Sequence, residues 1–566
     1  MKKSSTSKPK SLLARRRDLH PRTAIPFLLL SVFALQSLWF IQTQSLTYDE
    51  PAHIIAGVDA WRHGRFEHWN DHPPLGRLWL TLPIARMDSQ YAWRELPSGY
   101  RVEAMQPGPE EIAQRTRPMN TLLGIALGVA LWFAARRLFS EGAANVALAL
   151  FAFTPSLIAN FSVVTTDGIG TLFIFLAAFQ LVRWRHRPNW TQVVLMGLAL
   201  GGLLLSKFYA PPLVLLALAL MLILKPEGVS RRPSQWNWKP MLAALALALV
   251  TLWAGYFFHI SHLKVGDGKV VASFPNRGEK TWATRSNVHI STFVPAGEFL
   301  EGLRAVAFSN KHGRPAWFLG NVYPTGGIKL YYPTAIVLKW PTVLLALFLA
   351  SLLMGAHRVC RAPGDLLAMC SFAVVFLFFA IQSKYDIGER HILPLYPFAL
   401  LIAGAIWERV KASRFGVGRR TASTSRSYPW AAIVLLFLLA VNAADALRAA
   451  PDYLTYFNIL VKPANSWRYL TDSNLDWGQG LIALRDYELT HPDENMRLAY
   501  FGSVNPVLYG VKSLPLSPGE QVTGKLVVGA SVLSGQVLPD PDGYRWLLAY
   551  LPSQMIDRSM FVYQIK

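Results

Sequence analysis

Apolar residues run along this chain in long unbroken stretches, separated by short basic loops and three long polar segments. Runs long enough to cross a bilayer predict eleven helices, near residues 24–43, 118–138, 143–162, 167–184, 190–207, 209–224, 239–260, 333–354, 364–382, 391–408 and 429–447. The stretch 190–224 reads either as one long kinked helix or as two short ones, broken at Ser206-Lys207-Phe208-Tyr209-Ala210-Pro211-Pro212. Charge decides between them. With two helices, the basic loops at Arg136-Arg137, Arg183 to Arg187, Lys225 to Lys239, Arg358 to Arg361 and Arg409 to Arg426 all fall on the side of the N-terminus. With one helix the last three change sides, against the positive-inside rule. The expectation is a hairpin with Lys207 near the outer surface.

This alternation leaves three large outer pieces, at 44–117, 261–332 and 448–566. In the first, Ile54, Val58 and Trp61 share a face at helical spacing, and so do Leu75, Leu78, Trp79 and Leu82 after a Pro-Pro turn. Such stripes suit either the membrane surface or packing against the bundle. The last piece differs in kind. Leu498 to Phe501, Lys525 to Val532 and Met560 to Ile565 read as strands, after a helix from about Gly478 to Glu488. Residues 412–428 read as a flexible inner loop. The expected fold is an all-α polytopic membrane protein of about eleven transmembrane helices with a small C-terminal α/β domain on the outer face. Its parts are a basic cytoplasmic N-terminus (1–23), a transmembrane domain (24–447) and the outer domain (448–566).

Composition agrees with this reading. Hydrophobic residues make up 52% of the chain and charged residues 16%, with a mean hydropathy of +0.26, values that exclude a soluble protein. The formal net charge of +22 sits in the short loops, so it reports topology and requires no nucleic-acid partner. Cys360 and Cys370 are the only cysteines, which argues against a disulfide framework or a thiolate metal site. Lysines and arginines precede the first apolar run, which reads as an uncleaved helix with its N-terminus in the cytoplasm and the chain in the inner (plasma) membrane.

The candidate chemistry gathers at outer helix ends. Asp49-Glu50 stands where the first helix gives way to its loop, with Glu50 a candidate active-site residue on the acceptor side, and Asn70-Asp71-His72-Pro73-Pro74-Leu75 follows. A carboxylate at a partly desolvated membrane exit can take the proton of an attacking hydroxyl. An acid there can equally cap a helix. Asp71 and His72 can orient an acceptor or bind a divalent metal ion, with His259 and His262 as candidate further ligands. Their alternative is a polar turn stiffened by two prolines. Asp167, after Thr165-Thr166, can hold an acceptor, a metal or an arginine, or cap the fourth helix. Arg390 and Lys207 can bind an anionic lipid phosphate, or serve as an ion-pair partner and a snorkelling residue. Lys339, within an apolar run, is open between phosphate binding, ion pairing and snorkelling.

Together, Tyr48-Asp49-Glu50, Asp71-His72-Pro73-Pro74-Leu75, Thr166-Asp167 and Arg390 to Pro397 resemble the GT-C membrane glycosyltransferases, in particular the bacterial family 39 group. Its relatives include protein O-mannosyltransferases and the aminoarabinose transferase that modifies lipid A. The resemblance implies a polyprenyl-phosphate sugar donor, transfer with inversion, Asp49 as base, and Asp71 and Asp167 on the acceptor side. The acceptor stays open among a glycolipid, a cell-envelope glycan and a protein. Nothing in the chain resembles the lectin-like modules of eukaryotic relatives, and His72 stands where the lipid A-modifying relatives tend to have Lys. Asp472-Ser473-Asn474-Leu475-Asp476-Trp477-Gly478-Gln479 resembles a signature of many bacterial members, without an evident role. The rival reading is a multi-pass transporter or flippase of an amphiphile. Such proteins place polar groups near the bilayer midplane, whereas most spans here lack charge.

Overall fold

With no water in the hydrocarbon to satisfy amide groups, each long apolar run must close its hydrogen bonds within itself. The computed structural model describes residues 21–96, 99–224, 238–284, 288–415, 429–492 and 495–566. All eleven apolar runs fall on helix. Six helices among the described residues are long and apolar enough to cross a bilayer: Ala24–Thr43, Pro109–Leu138, Asp167–His186, Pro363–Gln382, Glu389–Lys411 and Trp430–Ala449. Tyr331–Lys339 and Thr342–Leu353, bent by 111°, make a seventh if counted as one span. The bend falls at Trp340-Pro341, where proline removes an amide donor. Glu141–Ala152, Trp190–Leu204, Ala210–Ile223 and Lys239–Gly255 are apolar but shorter. The run expected at 143–162 divides at Thr154-Pro155 into Glu141–Ala152 and Pro155–Asn160.

The stretch 190–224 is two helices, Trp190–Leu204 and Ala210–Ile223. The turn between them is buried, and Leu205 O accepts a hydrogen bond from Leu75 N (3.1 Å). Helix ends sort to two sides. On one, Arg361 N donates to Leu138 O (2.8 Å), and Arg185 and His186 both meet Asp365. On the other, segments 45–50, 164–167, 205–209, 387–391 and 471–479 converge. The basic N-terminal residues 1–20, the loop 225–237 and most of the inner loop expected at 412–428 lie outside the described residues.

The three long polar pieces hold more sheet than the sequence suggested. The first contains helices Glu50–His63 and Pro74–Thr81 and a hairpin of Gln90–Leu96 with Gly99–Gln106. Of the apolar stripe on helix Glu50–His63, Ile54 and Val58 are buried and pack within the protein, whereas Trp61 is exposed. The second holds a four-stranded antiparallel sheet in the order Gly278–Ala283, Lys269–Phe274, Ile260–Gly266, Ile290–Pro295. Two strands, Gly278–Ala283 and Ile290–Pro295, are exposed along most of their length, so neither carries the alternation that would reveal it. The all-α expectation for residues 24–447 is corrected accordingly.

In the tail, Gly524–Gly529 pairs in parallel with Met496–Ala499 and antiparallel with Met560–Ile565, within a five-stranded sheet preceded by helix Leu481–Thr490. This sheet shares one core with residues 44–117. Leu46, Ile54, Val58 and Val102 cluster with Leu481, Val504, Val527 and Val562. Val102 also exchanges backbone bonds with Ser503 (2.7 Å) and Asn505 (2.9 Å). Each fully buried aliphatic side chain contributes about 1.5–3 kcal/mol, so the tail is anchored firmly against the residues around Asp49.

Candidate active site

Asp49 sits at the start of helix Glu50–His63, yet its side chain makes no capping bond to that helix. The carboxylate turns instead to Arg390, whose Nη2 lies 2.8 Å from Asp49 Oδ2. Arg390 opens the segment leading into helix Tyr396–Gly404, and its Nη1 lies 3.4 Å from Asp167 Oδ2. Asp167 is the first residue of its helix, where the helix dipole favours an acid. Its other oxygen, Oδ1, meets Lys207 Nζ at 2.7 Å. Asp49, Arg390, Asp167 and Lys207 thus form one continuous line of alternating charge. Arg390, Asp167 and Lys207 are almost fully buried, whereas the Asp49 side chain retains 28% exposure. Burial strengthens each pair and makes an unpaired member costly. The open end of the line is therefore the Asp49 carboxylate.

Glu50 points elsewhere. It is fully buried, paired with Arg117 at 2.9 Å (Nε) and 2.7 Å (Nη2), and accepts from Val164 N and Thr47 N, each at 2.7 Å. All its acceptor capacity serves packing, so the structure does not bring it to the acceptor side.

Asp71 is half exposed and pairs with Arg77 (3.3 Å). His72 lies by Thr166 (Nδ1 to Oγ1, 3.3 Å) and tilts against the ring of His53 (centroids 5.0 Å). Arg77 Nε donates to His53 Nδ1 at 3.2 Å, a bond only the neutral ring can accept. Burial, then the charge of Arg77, holds His53 well below the usual imidazole value. Burial and Lys207 do the same to His72.

The metal ligand set expected from Asp71, His72, His259 and His262 does not assemble. His259 Nδ1 is engaged by Glu298 (2.7 Å), and His262 bonds Ser291 (2.8 Å) within the four-stranded sheet. Among the described residues, the group of acids and histidines close enough to share an ion is Asp59, Glu67 and His68. Its carboxylates already have partners in the ring of His63 on Asp59 (2.7 Å) and the guanidinium of Arg277 on Glu67 (3.5 Å). Lys339 is also committed, donating to the carbonyls of Asn474 (2.6 Å) and Leu454 (3.0 Å).

The sequence reading missed Ser473 and Trp477. Ser473 Oγ accepts from Arg390 Nε (3.1 Å), and the Arg390 guanidinium lies over the Trp477 ring, 4.2 Å from its centroid. Their signal was the unexplained run 472–479.

The family model for dolichyl-phosphate-mannose-protein mannosyltransferase matches residues 113–254, a segment that includes Asp167 and Lys207. Among solved structures, the chain resembles the Saccharomyces cerevisiae protein O-mannosyltransferase Pmt1-Pmt2 complex bound to its sugar donor. Identity is 11%, the match covers 76% of this chain and 90% of that one, and the TM-score is 0.52. The fold is that of the GT-C membrane glycosyltransferases. ArnT from Cupriavidus metallidurans bound to undecaprenyl phosphate aligns at 13% identity over 95% of this chain and 98% of that one, with a TM-score of 0.48. The Archaeoglobus fulgidus oligosaccharyltransferase aligns at 12% identity over 80% and 58%, with a TM-score of 0.45. No curated protein matches the chain in sequence. In this chain residues 44–117, the helix ends and the tail meet around Asp49.

Proposed function

We propose that this chain is a glycosyltransferase that moves a sugar from a polyprenyl-phosphate donor to an acceptor hydroxyl, with inversion, on the outer face of the inner membrane. In this reading the eleven apolar segments cross the bilayer, the N-terminus is cytoplasmic and residues 448–566 are outside. The observation that carries the reading is the buried line Asp49–Arg390–Asp167–Lys207, which ends on a partly open carboxylate. The match of residues 113–254 to a family named for a lipid-phosphate sugar supports the donor class.

The steps follow from charge and position. Asp49 takes the proton of the acceptor hydroxyl as its oxygen attacks the anomeric carbon. The bond from that carbon to the phosphate oxygen breaks, and its electron pair leaves on the phosphate. Arg390 and Lys207 stabilise the departing anion. Asp167 holds both cations ready, so little reorganisation is needed at the moment of reaction. Asp71 and the neutral His72 line the acceptor side. The acceptor is a glycolipid, an envelope glycan or a protein.

The test uses purified protein in liposomes with polyprenyl phosphates carrying a labelled sugar, plus an acceptor membrane extract. The reading expects release of polyprenyl phosphate with transfer of label. Folded protein that turns over none of a panel of such donors contradicts it and favours the transporter alternative.

A further inference from the structure

Residues 472–479 belong to the tail but are buried without interruption at the meeting point of the helix ends. Their backbone grips the segment that delivers Asp49: Tyr48 N donates to Trp477 O and Ser45 N to Gln479 O, both at 2.8 Å, and Ser45 Oγ donates to Gly478 O (3.0 Å). Their side chains grip Arg390 from the other direction, through Ser473 on Nε and Trp477 under the guanidinium face. Asn474 accepts from Glu389 N (2.9 Å), one residue before Arg390. Ser473 packs so closely on Gly388 that a Cβ there would come within 1.9 Å of Ser473 Oγ. The run is itself anchored in the tail, where Asp476 accepts from Ser531 N at 2.9 Å.

We propose that Ser473 and Trp477 are positioning residues of the catalytic centre, and that the run 472–479 sets Asp49 against Arg390. The inference rests on the assignment of Asp49 and Arg390 made above. Trp477 reaches both sides of the pair: its carbonyl accepts from Tyr48 N, the residue before Asp49, and its ring lies under Arg390. An arginine has many rotamers, and three fixed points (Asp49, Asp167 and Ser473) plus a stacked face select one. The tail is thus part of the reacting site, not a separate binding module.

The test measures donor turnover by full-length protein in liposomes with an acceptor membrane extract, with folded protein checked by thermal unfolding. The probes are polyprenyl phosphates carrying labelled mannose, glucose or aminoarabinose. Ser473→Ala and Trp477→Leu are expected to lower kcat roughly tenfold to a hundredfold, the effect of a small misplacement. Trp477→Phe, which keeps an aromatic face for the guanidinium, is expected to stay within about threefold of wild type. In an Arg390→Lys background, Ser473→Ala is expected to cost less than about twofold, since residues acting through one partner are not additive. An equal loss in both backgrounds, or equal losses from Trp477→Phe and Trp477→Leu, would mean that the run only supports the fold. Asp49→Asn separates the two levels. If it turns over donor like wild type, the assignment of the base fails. If it is inactive while Ser473→Ala and Trp477→Leu are fully active, only the positioning role fails.

Discussion

Arg390 donates to Asp49 at 2.8 Å, joining the loop after the first helix to a segment near the end of the transmembrane region. The two residues lie far apart in the chain, so the contact exists only in the folded protein. The same guanidinium reaches Asp167 at 3.4 Å, which ties the two carboxylates into one charge system with Lys207.

Arg390→Lys keeps the charge but loses the planar fork that spans Asp49, Asp167 and Ser473. A lysine can serve one of these partners at a time. We expect kcat to fall by roughly 10²–10³, the scale for loss of one preorganised donor. Transfer assays in liposomes check this, with the melting temperature showing that the variant is folded. Activity near wild type contradicts the role of the fork.

Glu50→Ala is expected to act on stability. It leaves Arg117 buried and uncompensated, at a cost of about 3–5 kcal/mol. Thermal unfolding in detergent reads this directly. The double variant Glu50→Leu, Arg117→Leu is expected to recover part of the loss, because no charge then remains buried. A Glu50→Ala protein as stable as wild type contradicts the structural role.

Asp472 gives a pH dependence. Burial raises its carboxyl from the ordinary 3.8 to about 7. The folded state therefore holds a proton that the unfolded state has released between about pH 4 and pH 7. The stability this group contributes is full below about pH 4 and is lost as pH rises through 7. Relative to wild type, Asp472→Asn is expected to gain stability from pH 4 to pH 8, by up to about 4 kcal/mol. Unfolding curves of both proteins across that range check it. A difference that stays constant with pH contradicts the buried, protonated carboxyl.

The helices were legible because length and apolarity alone report them, and the 190–224 break was legible because misplacing it inverts three basic loops. Asp49, Asp167, Lys207 and Arg390 were legible as charged residues at helix ends, although only the fold reveals that they touch. Glu50 and Asp49 look alike in sequence, and their opposite fates depend on Arg117, far along the chain. The sheet at residues 260–295 left little trace because two of its strands stand largely in the open. Ser473 and Trp477 were hidden for another reason: a serine and a tryptophan announce no chemistry until an arginine is placed between them.

The most direct test of the account is Asp49→Asn, compared with wild type in liposomes carrying labelled polyprenyl-phosphate sugars. The substitution keeps the size of the side chain and removes the base, and general-base assistance is worth typically 10²–10⁴-fold. The account predicts a loss of transfer of about that size, in protein that melts as wild type does. Transfer at the wild-type rate by Asp49→Asn would contradict it.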